Sequence, residues 1–166
     1  VQFARPDRLD AQRGAGAGDV TWLSESEVAS ILRGLATENS NLGTPADEGQ
    51  FSLPGALAKV ALRWDPKRKR WGRPSGRAAT THILKPPRTG IPFHCENEHL
   101  CLELARELGL DSARSSILTV EDQTVLSVIR YDREIVARSV VRVHQEDMSQ
   151  ALGVDPDLKY AAQGAP

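Results

Sequence analysis

Ala79-Thr-Thr-His-Ile-Leu-Lys-Pro-Pro87, followed by Glu96-Asn-Glu-His-Leu-Cys-Leu-Glu-Leu-Ala-Arg-Glu-Leu-Gly109, places a β-branched strand before an amphipathic helix. The strand is expected over Ala79 to Lys85, because Pro86 and Pro87 have no N–H to give to a ladder. Lys85 therefore stands at a strand end. The helix is expected from Glu96, with Leu100, Leu104 and Leu108 spaced by four, Cys101 and Ala105 on the flanking face, and Gly109 as its C-terminal cap.

Upstream, Phe51 to Trp64 reads as strand, tight turn and strand, with Ala58, Val60, Leu62 and Trp64 alternating against Lys59, Ala61 and Arg63. Asp65 to Arg70 is a polar turn, and Trp71 resumes the sheet. Ser24 with Glu27 makes a capping box for a helix whose inner face is Val28, Ile31, Leu32 and Leu35. Downstream, Ser116 to Val120 and Thr124 to Arg130 are strands joined by Glu121-Asp122-Gln123. Val140 to Val143 is a last short strand, and Gln145 to Leu152 a helix ended by Gly153. This order predicts an α+β fold, a mostly antiparallel sheet with one long helix packed on it.

The chain has 166 residues, 40% apolar and 26% charged, with 21 basic and 22 acidic side chains. That composition predicts one globular unit, with no global field to gather nucleic acid or an anionic membrane. Two cysteines cannot form a disulfide framework, and no leader pattern opens the chain, so a reduced, cytoplasmic setting is expected. The apolar runs fall far short of the ~20 residues that span a bilayer, so no membrane partner is expected. Arg13 to Asp19 has the glycine-rich composition of a linker. Val1 opens without a Met and Ala161 to Pro166 ends on polar and small residues, as expected for a piece of a longer chain.

Three elements could carry chemistry. Ser52-Leu-Pro-Gly-Ala-Leu-Ala-Lys59 is a loop of small residues whose N–H groups could approach an anion, with Lys85 supplying charge from another strand. An ordinary hairpin turn would look the same, and no GKS or GKT follows. Glu96-Asn97-Glu98 could pair with Lys85, or simply favour the positive end of the helix dipole. Val125 to Asp132 is a strand ending in a polar turn, which in a kinase lobe would be the hinge whose main chain bonds an adenine edge.

Taken together, Ser52-Leu-Pro-Gly55, Thr80 to Lys85, Glu96 to Leu110, Arg130-Tyr-Asp-Arg133, His144 to Gly153 and Lys159-Tyr160 resemble the HipA-family serine/threonine kinases, toxins of bacterial toxin-antitoxin pairs. The resemblance implies that residues 23–166 are the ATP-binding part of the N-terminal lobe, with 1–22 a leading segment and linker. The catalytic aspartate and the magnesium-binding aspartate would then belong to a helical lobe that this sequence does not contain. It also implies ATP as ligand, with Mg2+ held by that other lobe. Lys85 matches the phosphate-binding lysine and Glu98 its partner. Gly55 and Ala56 fall in the phosphate loop, and Ser52 matches a serine whose autophosphorylation switches the kinase off. Ile129 and Tyr131 match the adenine hinge, while Asp132 and Gln145 match positions near the ribose. Ile129 stands where the hinge often has an acid, and Pro54 fixes φ in the loop. The implied partner is a HipB-like antitoxin, with DNA reached only through it. The alternative is a non-catalytic module that binds a separate kinase chain or an antitoxin.

Two further motifs have plainer readings. His94, Cys95, His99 and Cys101 have zinc-ligand chemistry, but within one helix they project in different directions, and Cys101 is expected to be a small buried residue. Lys67 to Arg70, between Trp64 and Trp71, could grip phosphate and stack a base. A solvated hairpin tip is the simpler account.

Overall fold

The computed structural model describes residues 18–37, 57–136 and 139–154. Its elements are β1 (Val20–Trp22), α1 (Glu25–Thr37), β2 (Val60–Asp65), β3 (Arg70–Pro74), β4 (His82–Lys85) and α2 (His94–Glu107). There follow β5 (Ser115–Val120), β6 (Gln123–Ile129), β7 (Arg133–Val136), β8 (Ser139–Arg142) and α3 (Met148–Ala151). Six strands form one antiparallel sheet in the order β1-β3-β2-β4-β6-β5, while β7 and β8 pair as a separate hairpin. The α+β expectation is met. No helix among the described residues is long and apolar enough to cross a membrane.

Alternation along the strands divides the sheet into two apolar faces. One carries Val60, Leu62, Leu84, Val120 and Val125 and is covered by Val28, Ala29 and Leu32 of α1. The other carries Ile83, Ile117, Leu126 and Val128 and is covered by α2 through Cys95. Burying a side chain such as Leu32 or Leu62 contributes about 1.5–3 kcal/mol each. These two sets hold the layers together. The α1 cap forms as its spacing predicts: Ser24 N–H donates to Glu27 Oε2 at 2.7 Å and Glu27 N–H to Ser24 Oγ at 3.2 Å. Polar contacts seat the helix on the β5–β6 turn, where Gln123 Nε2 donates to the Ala29 carbonyl at 3.1 Å and Arg33 pairs with Glu121 at 3.0 Å.

Several boundaries move. The strand expected from Ala79 starts at His82; at Thr81 the pairing with β2 shifts by one residue, its N–H bonding the Leu62 carbonyl while its hydroxyl accepts the Trp64 amide. Of the strand, turn and strand expected over Phe51 to Trp64, the second strand is β2, from Val60, while residues 51–56 lie outside the described residues. The sheet gains β1 from the end of the stretch assigned to the linker: Gly72 has no side chain, so Val20 and Trp22 can lie where its Cβ would fall. α2 begins at His94 rather than Glu96, after Phe93 in a left-handed conformation at φ 56°. It ends as expected, with Gly109 at φ 83° donating to the Arg106 carbonyl and Leu110 to that of Ala105. α3 starts only at Met148, where Asp147 and Gln150 form a capping box. Strand β7 had no signal in the periodicity.

The face of α2 also needs correcting. Cys95 is buried while Cys101, Leu100, Leu104 and Leu108 are exposed, so the leucine row points away from the sheet. Specific polar contacts set the rotation: His99 Nδ1 meets Ser115 Oγ at 2.9 Å, and Ser112 Oγ donates to the Leu102 carbonyl at 2.7 Å. Cys95 Sγ reaches the carbonyls of Lys85 and Thr124, both at 3.6 Å.

Candidate functional site

Strand pairing brings two lysines to one place on the α2 side of the sheet. Val60 pairs with Leu84, so the preceding Lys59 stands opposite the following Lys85. Lys85 Nζ reaches Glu98 Oε1 at 2.5 Å, with both side chains partly buried. Burial pushes the Lys59 ammonium down from its ordinary value, and the Lys85 charge pushes it further, while Glu98 opposes the shift. The cluster holds two ammonium groups and one carboxylate, a locally positive arrangement. Cys95 fixes its geometry from below. Burial raises its pKa and keeps it a thiol, and its bonds to the Lys85 and Thr124 carbonyls hold the first turn of α2 on the sheet. Glu98 follows three residues later on the same side of the helix.

At the other end of β6 lie the predicted hinge residues. Lys85 pairs with Leu126 and His82 with Ile129, so Ile129 stands three residues along β6 from the lysine level, about 10 Å at 3.4 Å per residue. Ile129 N–H donates to the Arg114 carbonyl at 2.8 Å and Arg130 N–H to the Thr81 carbonyl at 3.0 Å. Tyr131 N–H has no partner among the described residues. The exposed Tyr131 side chain donates its hydroxyl proton to Gln145 Oε1, which ties the stretch after β8 to the hinge.

Asp132 is 5% exposed, and its carboxylate faces two guanidinium groups. Arg130 Nη2 lies 2.8 Å and Arg133 Nη1 2.6 Å from Oδ2, with Arg130 Nε at 3.0 Å from Oδ1. Burial alone would raise this carboxyl, but the hydrogen bonds and charge of the two arginines outweigh it and hold it below the usual range. Arg133 Nε also donates to the Thr80 carbonyl at 2.8 Å. The cluster thus clamps the start of β7 against the chain leading into β4.

Residues 51–165 match the family described as HipA-like C-terminal domain. The chain belongs to this family. Y4mE of Sinorhizobium fredii, a protein named as a candidate kinase, is 42% identical over 148 residues, 88% of this chain and 34% of Y4mE. Among solved structures, HipA from the Shewanella oneidensis MR-1 complex of HipA, HipB and operator DNA superposes with a TM-score of 0.67 at 24% identity, over 89% of this chain and 34% of that chain. That likeness is one of fold. The chain spans about a third of the length of the two relatives it matches.

Within this HipA-like chain the predicted residues separate into groups. Lys85 and Glu98 are brought together, as are Tyr131 and Gln145; Asp132 sits in its own ion cluster, and Ile129 closes β6. Ser52, Gly55 and Ala56 lie outside the described residues. Lys59 is not among the predicted site residues: alternation along β2 groups it with Ala61 and Arg63, and only the β2–β4 register brings it beside Lys85. The zinc-like set is dispersed: Cys95 is engaged by carbonyls, His99 by Ser115, and Cys101 is exposed. Among the described residues no three His, Cys, Asp or Glu side chains converge as metal ligands do. The basic tip forms the β2–β3 turn, where Trp64 and Trp71 pack at 4.6 Å between ring centroids and Arg68 lies 5.9 Å from the Trp22 ring.

Proposed function

We propose that this chain is the ATP-binding portion of a HipA-like serine/threonine protein kinase that serves as the toxin of a toxin-antitoxin pair. The observation that carries the reading is the Lys85–Glu98 pair between the end of β4 and α2, with Lys59 opposite. A lysine held by a helix carboxylate presents a positioned ammonium to triphosphate oxygens, and positioning with charge stabilisation is most of what phosphoryl transfer asks of a protein. Gly55 and Ala56 belong to the loop that would lay its N–H groups on the phosphates. At the hinge, Tyr131 N–H is the donor left for the adenine edge, since those of Ile129 and Arg130 are taken within the protein. Tyr131 and Gln145 would border the ribose, and Asp132 would act by fixing the backbone there.

The acid that takes the acceptor proton and the ligands for Mg2+ would come from the further length that the relatives possess. This chain by itself should bind ATP without transferring phosphate. Phosphorylation of Ser52 would bring close to two negative charges into the place of the ATP phosphates and draw Lys59, Arg63 or Lys85 onto itself, expelling the nucleotide. A HipB-like antitoxin is the expected partner, with operator DNA contacted only through it, and the setting would be cytoplasmic.

Calorimetric titration of ATP into the chain and into its Lys85→Ala variant tests the reading. Saturable binding weakened about tenfold or more by the substitution is expected; equal affinity would overturn it. A second reading has its own support. The exposed row Leu100, Leu104 and Leu108 on α2 fits a non-catalytic module that docks on a separate kinase chain or an antitoxin. Absence of ATP binding together with capture of such a partner would favour it.

A further inference from the structure

The face of the sheet opposite Lys85 holds a cavity of about 380 Å3 beside the N-terminal turn of α1. His82 lies two residues before Leu84 on β4, and Ser127 two residues after Val125 on β6, so both side chains project to the α1 side. The walls are mostly apolar, formed by Trp64, Trp71 and Leu118, with Glu25 and Lys69 among the lining residues. Trp64 packs tilted on Trp71, and the His82 ring stands edge-on to Trp71 at 5.2 Å.

Polar side chains converge on this cavity beside the aromatic walls. Ser116 and Ser127 face one another across the β5–β6 ladder, and neither hydroxyl has a hydrogen-bond partner among the described residues. Ser127 as a residue is only 3% exposed and Ser116 is exposed, and both line the cavity, so both hydroxyls are available to a ligand there. His82 adds a third polar group. Thr81 Oγ1 accepts the Trp64 amide at 2.9 Å and lies 2.8 Å from His82 Nδ1. Burial lowers the His82 pKa and favours the neutral ring, so the Thr81 proton can go to Nδ1 and the ring hydrogen to Nε2.

We propose that this cavity binds a small, uncharged, planar nitrogen heterocycle, with its ring against Trp71 and its donor-acceptor edge on the Ser116 and Ser127 hydroxyls and His82. The volume lies at the small end of ligand pockets, which run from about 300 to 1,000 Å3, and suits a fused two-ring molecule rather than a nucleotide. An apolar body with a few placed polar groups is the usual composition of such sites. Aromatic walls favour a flat ring over an aliphatic chain of equal volume. The site is separate from the lysine cluster because the two lie on opposite faces of the same strands.

Benzimidazole, which has one N–H donor and one ring-nitrogen acceptor, is a suitable probe. The 15N-labelled chain is titrated with it at pH 7.5 while the Trp64 and Trp71 indole signals and the amides of Ser116, Ser127, Lys85 and Tyr131 are followed. Saturable shifts at the two tryptophans and two serines, with Lys85 and Tyr131 unmoved, are expected. Ser127→Ala should weaken this binding about tenfold, the loss of one or two hydrogen bonds. It should also leave the melting temperature unchanged or raised, because no protein partner is removed. Shifts confined to the hinge amides, no saturation at millimolar probe, or unchanged affinity in the Ser116→Ala, Ser127→Ala double variant would each overturn the assignment.

Discussion

Cys95 Sγ meets the carbonyl of Lys85 at 3.6 Å, so the residue that supplies the candidate phosphate cation also anchors the helix carrying its carboxylate partner. Through this contact the Lys85–Glu98 distance depends on a buried thiol. Strand end, helix start and ion pair form one unit.

The two cysteines should therefore differ in reactivity. Burial excludes reagent from Cys95 and raises its pKa, leaving little thiolate, whereas Cys101 is exposed. One equivalent of thiol should react with a disulfide reagent at pH 8 in the native chain, and two after denaturation. Rapid reaction of both in the native state would show that α2 does not hold Cys95 against the sheet.

Lys85→Ala should act on function far more than on stability. Both members of the pair are partly exposed, and such pairs contribute about 0–1 kcal/mol. Under the function proposed above, loss of a phosphate clamp in the full-length protein should raise the barrier by on the order of 3 kcal/mol, a hundredfold or more in rate. Toxicity assays with melting curves measure both. Normal toxicity would leave Lys85 a surface residue.

Asp132→Asn should do the reverse. Two guanidinium groups of low exposure would lose the charge that balances them, and breaking a buried pair costs about 3–5 kcal/mol. The pH dependence follows from the direction of the Asp132 shift. Its folded pKa lies below the unfolded value, about 3.9, so the cluster's stabilisation is complete above that value and is lost as pH falls through the folded pKa. Chemical denaturation between pH 6 and pH 2 should show a steeper acid limb in the wild type than in Asp132→Asn. Parallel limbs would remove Asp132 as its source.

Leu32→Ala tests the α1 layer. The side chain is wholly buried against the sheet, and such truncations cost about 2–5 kcal/mol. Urea denaturation should show a lowered midpoint with an unchanged slope. Loss of less than about 1 kcal/mol would mean that α1 contributes little to the core.

Local pattern was legible wherever a signal acts over a few residues. The Ser24–Glu27 cap, the Val28–Leu32 stripe, the β5–β6 hairpin and the Gly109 stop each follow from neighbours within one turn or one ladder rung. The grouped motifs that resemble HipA kinases were readable in the same way, and the family match agrees with them. Tertiary structure decided the rest. The spacing of α2 offered a leucine row as its buried face, yet Cys95 packs inward, because carbonyls and Ser115 on distant strands set the helix rotation. Asp132 became an ion-cluster centre only when Arg130, Arg133 and the chain before β4 met around it. Lys59 and Lys85 adjoin, and Ser116 faces Ser127, through strand register. Periodicity assigns a residue to a face, but packing between elements far apart in sequence chooses which residues share it.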